Sequence, residues 1–166
     1  DRVRAAWNMH PLAARPQNHW RYAELLPLKP DSLPHQWSVG YTPIINALPL
    51  ARRLGIQQVL LKDEGRNPTG SFKDRASSVG VAHALQVGAK TIACASTGNA
   101  ASSLAGLAAL ADLPAIIFVP ATAPEPKVAQ LRIFGATVFA VQASYDVAYD
   151  LCTKACHTFG WYNRNC

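Results

Sequence analysis

An α/β fold of open parallel sheets with helices on both faces is what this sequence predicts, and three observations predict it. From residue 57 onward, short apolar runs alternate with longer helical stretches, four times over. Single glycines and prolines punctuate the joins. The composition, 49% hydrophobic and 16% charged over 166 residues, is that of a chain that can bury a core of one domain, or of one and part of another. Strands that alternate with helices pair in parallel, because a right-twisted strand followed by a right-handed helix packs back onto the sheet through a right-handed crossover.

Taken in order, residues 1–37 carry Pro11, Pro16, Pro27, Pro30 and Pro34 together with Trp7, Trp20 and Trp37. They read as an extended arm that packs by aromatic anchors, with a helical turn or two at 20–26. His10 and His19 read as arm residues rather than ligands. Residues 42–44 and 48–50 are short extended pieces, and 51–54 should be helical and stop at Gly55. The run Val59-Leu60-Leu61 is short, apolar and stopped by charge, which predicts a buried strand over 57–62. The rhythm then gives a helix over 71–87, a strand over 91–95, a helix over 99–111, a strand over 115–119, a helix over 125–134, a strand over 137–141 and a helix over 145–159. Gly88, Gly135 and Gly160 close helices, while Pro120, Pro124 and Pro126 bound another.

Two loops carry the chemistry. Asn67-Pro68-Thr69-Gly70 is turn chemistry, and Ser71 with Asp74 spells S-x-x-D, a capping box with Ser71 as the cap of the next helix. Lys73 then falls in the first turn, where free amide hydrogens and the helix dipole favour a neutral, imine-forming amine over a salt-bridging one. The bland reading is a solvated lysine. Gly65 and Gly70 also stand as G-x-x-x-x-G, but a nucleotide phosphate loop needs its lysine directly after the second glycine, and here it comes two residues late. The second loop, Ser96-Thr97-Gly98-Asn99, opens the following helix, so its amides and hydroxyls suit an α-carboxylate; the bland reading is a cap and a turn. Both loops follow strands, and in open sheets ligands collect beyond the carboxyl ends of strands.

The run KDEGRNPTGSFKDR at 62–75, with ASTGNA at 95–100, PEPKVAQLRIFGATVFAV at 124–141 and FGWYNRN at 159–165, resembles the pyridoxal-phosphate enzymes of the tryptophan-synthase β-like fold, also called fold-type II. Within that group it is most similar to the threonine synthases, from about Trp20 to the end. The resemblance implies pyridoxal 5'-phosphate as cofactor, Lys73 as the internal-aldimine lysine and Asn99 as the residue that hydrogen-bonds the cofactor ring hydroxyl. It implies that Ser96, Thr97 and Gly98, with Asn99, grip the substrate carboxylate. The implied reaction is loss of phosphate from O-phosphohomoserine and addition of water to give threonine. A serine/threonine dehydratase-like lyase, another replacement enzyme of the fold, and a non-catalytic relative are the alternatives. The sequence departs from the family at Ser38-Val39-Gly40-Tyr41-Thr42-Pro43, where a glycine-glutamate-glycine run usually precedes the Thr-Pro.

Other function classes fall away. The net charge of +6 is scattered, with Arg52-Arg53 the only adjacent basic pair, so no nucleic-acid partner is expected. No apolar run approaches the roughly 20 residues that span a bilayer, so no membrane association is expected either. Cysteines stand at 94, 152, 156 and 166 without a C-x-x-C. Cys94 reads as a buried small hydrophobe, and Cys152, Cys156 and His157 lack a third and fourth ligand partner, so no metal is expected. Reduced thiols and the lack of a charged-then-apolar leader point to the cytoplasm. The expected partner is a small-molecule amino-acid substrate, and a homodimer is compatible with that. Gly80, Gly88, Gly98, Gly106, Gly135 and Gly160 stand singly and build no phosphate cup. The chain therefore reads as the amino-terminal part of a longer enzyme, a fold incomplete at its carboxyl end. Residues 1–70 would be the arm and the first part of the larger cofactor domain, 71–160 a smaller α/β domain, and 161–166 the start of a strand returning to the first sheet. These residues alone are expected not to turn over substrate.

Overall fold

The computed structural model describes residues 2–9 and 11–165; His10 and Cys166, and with them the expectations made for those two side chains, lie outside the described residues. Four strands form the central sheet: β3 (Ile92–Ala95), β4 (Ala115–Pro120), β5 (Thr137–Val141) and β6 (Tyr162–Asn163). They run parallel in the order β5-β4-β3-β6. This is the open parallel sheet that the alternation predicts.

Helices cover both faces, and the strand residues alternate between them. Ile92, Cys94, Ile117 and Val119 join one core with α3 (Lys73–Gln86), α4 (Asn99–Leu110) and α5 (Glu125–Ile133). Ala93, Ala95 and Phe118 join a smaller core with Ala148, Cys152 and Cys156 of α6 (Tyr145–Phe159). The two-residue period of a strand produces this division. Crossover hand explains which helix goes where: the chain steps outward from β3 to β4 to β5 through α4 and α5 on one face. It then steps back across the sheet to β6 through α6, which must lie on the opposite face if the hand is kept.

α4 is buried along its length, from Ala101 to Ala108, because the sheet, α3 and α5 surround it. Its small residues permit that crowding. A Cβ on Gly106 would stand 2.6 Å from Thr69 Cγ2, so this glycine is where the turn before α3 seats against α4. Gly160 ends α6 at φ 68°, a left-handed conformation that glycine adopts without steric cost.

The first strand of the expected rhythm behaves differently. β2 (Leu60–Lys62) does not enter the parallel sheet; it pairs antiparallel with β1 (Ile44–Asn46), Ile44 opposite Lys62. The expected buried strand is exposed, Leu60 at 55% and Leu61 at 45%, because a two-stranded ribbon has no second layer within these residues to cover it. Residues 48–50, expected to be extended, instead open α2 (Leu48–Leu54), with proline in the first turn where its missing amide costs nothing. After Gly160 a strand does form, but it adds to β3 of the four-stranded sheet rather than to β1 and β2.

The arm packs by its aromatics as expected. Trp20 and Trp37 are buried, and Trp20 Nε1 donates to the Trp37 carbonyl at 3.1 Å. Ahead of them lies α1 (Arg2–Met9), a helix the sequence did not announce. The turns expected at 20–26 form a 3-10 helix, His19–Leu25, capped by the Asn18 side chain, which accepts from Trp20 N at 3.0 Å. Arg15 grips Glu24 with two bonds of 2.8 Å, holding that carboxyl down to about 2. Among the described residues no helix is long and apolar enough to cross a membrane.

Candidate active site

β3 is flanked by β4, to which the chain goes next, and by β6, to which it returns last. Where a parallel sheet reverses its direction of travel, the loops leaving the two neighbouring strands diverge and open a crevice at their carboxyl ends. A cavity of about 150 Å³ lies at that edge. Lys73 lines it from the first position of α3, Cys94, Ala95 and Ser96 from the end of β3, and Ala100 from the first turn of α4. Tyr145 from the start of α6 and Arg164 and Asn165 from beyond β6 complete the wall.

The lysine loop is held from below by one polar cluster. Arg75 donates to both Glu64 oxygens at 2.7 Å, Thr42 Oγ1 donates to Glu64 Oε1 at 2.7 Å, and Asn67 Nδ2 donates to Glu64 Oε2 at 3.0 Å. These donors stabilise the ionised form, and the Glu64 carboxyl is held down at about 2, with the Arg75 bond the largest cause. Asn67 Oδ1 in turn accepts from Gly40 N at 2.9 Å, and Lys62 Nζ donates to the Thr42 carbonyl, so the departure at 38–43 is tied to the loop directly. A Cβ on Gly40 would meet Arg75 Nη1 at 2.8 Å. Tyr41 beside it takes φ 53°, an unusual conformation for a bulky residue.

The expected capping box does not form. Phe72, not Ser71, is the residue before the helix, and its side chain makes no cap bond. Ser71 Oγ accepts from Lys73 N at 3.3 Å. Asp74 is fully buried and turns back to Thr69, accepting from its amide at 2.7 Å and from its hydroxyl. The carboxylate thus closes the turn before the helix rather than the helix itself. Lys73 Nζ stands 4.8 Å from the Phe72 ring centroid, and among the described residues it makes no ion pair.

The second loop is less converged. Ser96 lines the cavity and its Oγ accepts from Gly98 N at 3.2 Å. Thr97 and Gly98 are half-buried, Asn99 begins α4 and is exposed, and these three are not among the lining residues. Lys73 and Ser96 are therefore the two expected site residues that the fold brings to one cavity. Cys94, expected to be buried, is so at 2% exposure.

Sequence reasoning assigned nothing to Tyr145, Arg164 or Asn165. Asn165 Oδ1 accepts from Ala95 N at 2.7 Å and Tyr145 OH donates to the Ala95 carbonyl at 3.1 Å, so the strand end that carries Ser96 is clamped from both sides. The Arg164 amide donates to the Ala93 carbonyl at 2.9 Å and its Nη2 reaches Ser77 Oγ at 3.5 Å. The signal was present in the segment FGWYNRN, but only the return of β6 beside β3 gives it a place. Cys152 and Cys156 lie on the far side of the sheet, where burial pushes the Cys152 thiol up to about 12. His157 beside them is exposed, and among the described residues no group of three or more His, Cys, Asp or Glu side chains could hold a metal.

Known proteins resemble this arrangement. A threonine synthase of Methanosarcina acetivorans is 42% identical over 138 residues, which is 82% of this chain and 34% of the relative. A threonine synthase of Methanocaldococcus jannaschii is 41% identical over 133 residues, 80% of this chain and 33% of the relative. The chain thus spans about a third of the length of these curated relatives. A crystal structure of Escherichia coli diaminopropionate ammonia lyase superposes with a TM-score of 0.70 at 24% identity, covering 79% of this chain and 38% of that one, and shows the shared fold. The pattern of the family described as pyridoxal-phosphate dependent enzyme matches residues 37–165, a stretch that takes in the lysine loop, the Ser96 loop and the whole parallel sheet. With that match over most of its length, this chain belongs to the pyridoxal-phosphate dependent enzymes, and pyridoxal phosphate is its cofactor.

Proposed function

We propose that this chain is the lysine-bearing part of a cytoplasmic lyase of the threonine-synthase type, which releases phosphate from O-phosphohomoserine and adds water to give threonine. The observation that carries the reading is the place of Lys73: it walls a cavity at the carboxyl edge of the parallel sheet, and no carboxylate lines that cavity among the described residues. A primary amine on a residue that walls such a cavity suits the aldehyde of pyridoxal phosphate. The names of the relatives at 42% and 41% identity supply the substrate class.

In this reading Lys73 holds the cofactor, Asn99 hydrogen-bonds its ring hydroxyl, and Ser96, Thr97, Gly98 and Asn99 receive the substrate carboxylate through hydroxyls and amides. When bound, the cofactor supplies an electron sink, which the chemistry needs because protons must leave both the α and the β carbon. Lys73 Nζ is the group positioned to take and return those protons. Residues 1–70 serve as arm and first part of the larger cofactor domain, 71–160 as the smaller α/β domain, and 161–166, which first pairs with β3 through β6, as the start of the return to the larger domain.

Two measurements on the full-length enzyme test this. Borohydride reduction of the holoenzyme followed by peptide mapping should place the cofactor on Lys73; label on another lysine would sink the assignment. Incubation with O-phosphohomoserine should yield threonine and phosphate. Ketobutyrate from threonine, with no threonine from O-phosphohomoserine, would make the enzyme a dehydratase instead.

A further inference from the structure

The two flanks of β3 are held differently at its carboxyl end. On the β4 side the backbone holds it: Ser96 N donates to the Phe118 carbonyl at 3.1 Å. On the β6 side the row of bonds runs from Tyr162 N to the Thr91 carbonyl and from Arg164 N to the Ala93 carbonyl, each at 2.9 Å. Alternate residues of a strand face the same neighbour, so the next groups in that row belong to Ala95. β6 has ended by then, and the Asn163 side chain accepts from Asn165 N at 2.9 Å, closing a turn. Two side chains take the groups that a longer strand would have paired. Asn165 Oδ1 accepts from Ala95 N at 2.7 Å, and Tyr145 OH donates to the Ala95 carbonyl at 3.1 Å.

Both side chains are tied to α6. Tyr145 is its first residue, and Asn165 Nδ2 donates to Thr153 Oγ1 farther along it, at 3.3 Å. Ala95 itself packs with Ala148 and Cys152 of the same helix. Ser96 follows Ala95 directly, and Tyr145, Asn165 and Ser96 all line the cavity that Lys73 walls. We propose that Tyr145 and Asn165 are positioning residues that hold the Ser96 loop ready for its ligand, an inference that rests on the reading of that loop as the seat of the substrate carboxylate. A loop ordered beforehand spends none of the ligand's affinity on its own ordering; with either bond gone, the ligand must order the loop as it binds. Neither side chain takes part in proton transfer.

The test uses the full-length holoenzyme, with amide hydrogen exchange over residues 95–98 read by mass spectrometry. Tyr145→Phe deletes one oxygen and keeps the ring, and Asn165→Ala deletes the other partner. Each should speed exchange in that segment by about fivefold, the weight of one hydrogen bond. Each should also raise KM for O-phosphohomoserine by about the same factor while kcat stays within about twofold. Tyr149→Phe, on α6 but outside the cavity lining, should change neither. Tyr145→Phe decides the matter by itself if the alanine variant does not fold. Unchanged exchange in the folded variants overturns the proposal. So does faster exchange with KM unmoved, which would make the two bonds structural only. An equal effect of Tyr149→Phe overturns it as well, by showing a general loosening of α6. Should the wild-type enzyme make no threonine, the substrate reading fails separately. Exchange then still decides: a faster rate over 95–98 in Tyr145→Phe supports the hold on the loop, and an equal rate overturns it.

Discussion

The four-stranded parallel sheet and the β1–β2–α2 segment are written in similar letters and have opposite fates. Ile92 and Ile117 of the sheet are fully buried, whereas Ile44 of β1 is 64% exposed, Leu60 of β2 55% and Leu54 of α2 58%. Both regions satisfy strand and helix patterning locally. Within these residues the sheet has helices on each face, so its apolar atoms are covered; the ribbon has one layer here, so its apolar atoms are left uncovered by this part of the chain. An apolar run therefore announces a surface to be covered, and burial is decided by how many layers the topology stacks there.

The largest expected effect is a deletion in the covered region. Leu104 of α4 is fully buried, and Leu104→Ala should cost about 3 kcal/mol in urea unfolding of this chain, from lost transfer free energy and the cavity left behind. A cost no greater than that of truncating Leu60 would break the comparison.

Next comes the seam that joins the arm to α3. His19 is buried with its Nε2 3.1 Å from Ser78 Oγ, and burial first, then the nearby Arg75 charge, lowers its pKa from 6.5 to about 4. The unfolded chain takes up this proton near pH 6.5 and the folded chain only near 4, so this contribution is whole above 6.5 and is lost as pH falls towards 4. The loss should reach up to about 3 kcal/mol, and His19→Gln should flatten the slope in that window.

A smaller effect is expected at the polar cluster beneath the lysine loop. Glu64→Gln removes the charge that Arg75, Thr42 and Asn67 surround and should cost about 1–2 kcal/mol, moderated by the partial exposure of the pair. Because the Glu64 pKa is depressed to about 2, its contribution is present above 4.5 and lost as pH falls towards 2; the variant should show a shallower acid limb there. The smallest effect is the sharpest test of exposure: Leu60→Ser in β2 should change the stability of this chain by less than about 0.5 kcal/mol. A loss of the Leu104 size would mean that the ribbon is covered after all.

Much of this molecule was legible one residue at a time. The helix over 71–87 proved to be Lys73–Gln86, the strand over 137–141 matched Thr137–Val141, and Gly160 closes its helix as written. Those features depend on neighbours within four residues. The capping box failed for a reason the same window could not show: Asp74 finds Thr69 because the turn bends back over Gly106 of a helix that comes later in the chain. Likewise the strand at β2 was visible as a strand, while its antiparallel partner and its exposure were not.

By itself, then, the sequence determined the order of elements, the turn that delivers Lys73 to the start of a helix, and the aromatic anchoring of the arm by Trp20 and Trp37. Tertiary structure alone decided that β6 returns beside β3, and with it that Arg164 and Asn165 share a cavity with Lys73 and Ser96. The physical reason is range. Dihedral preference and apolar period act within a turn or a strand, whereas strand order is set by crossover hand and by which faces remain to be covered once all the elements have formed.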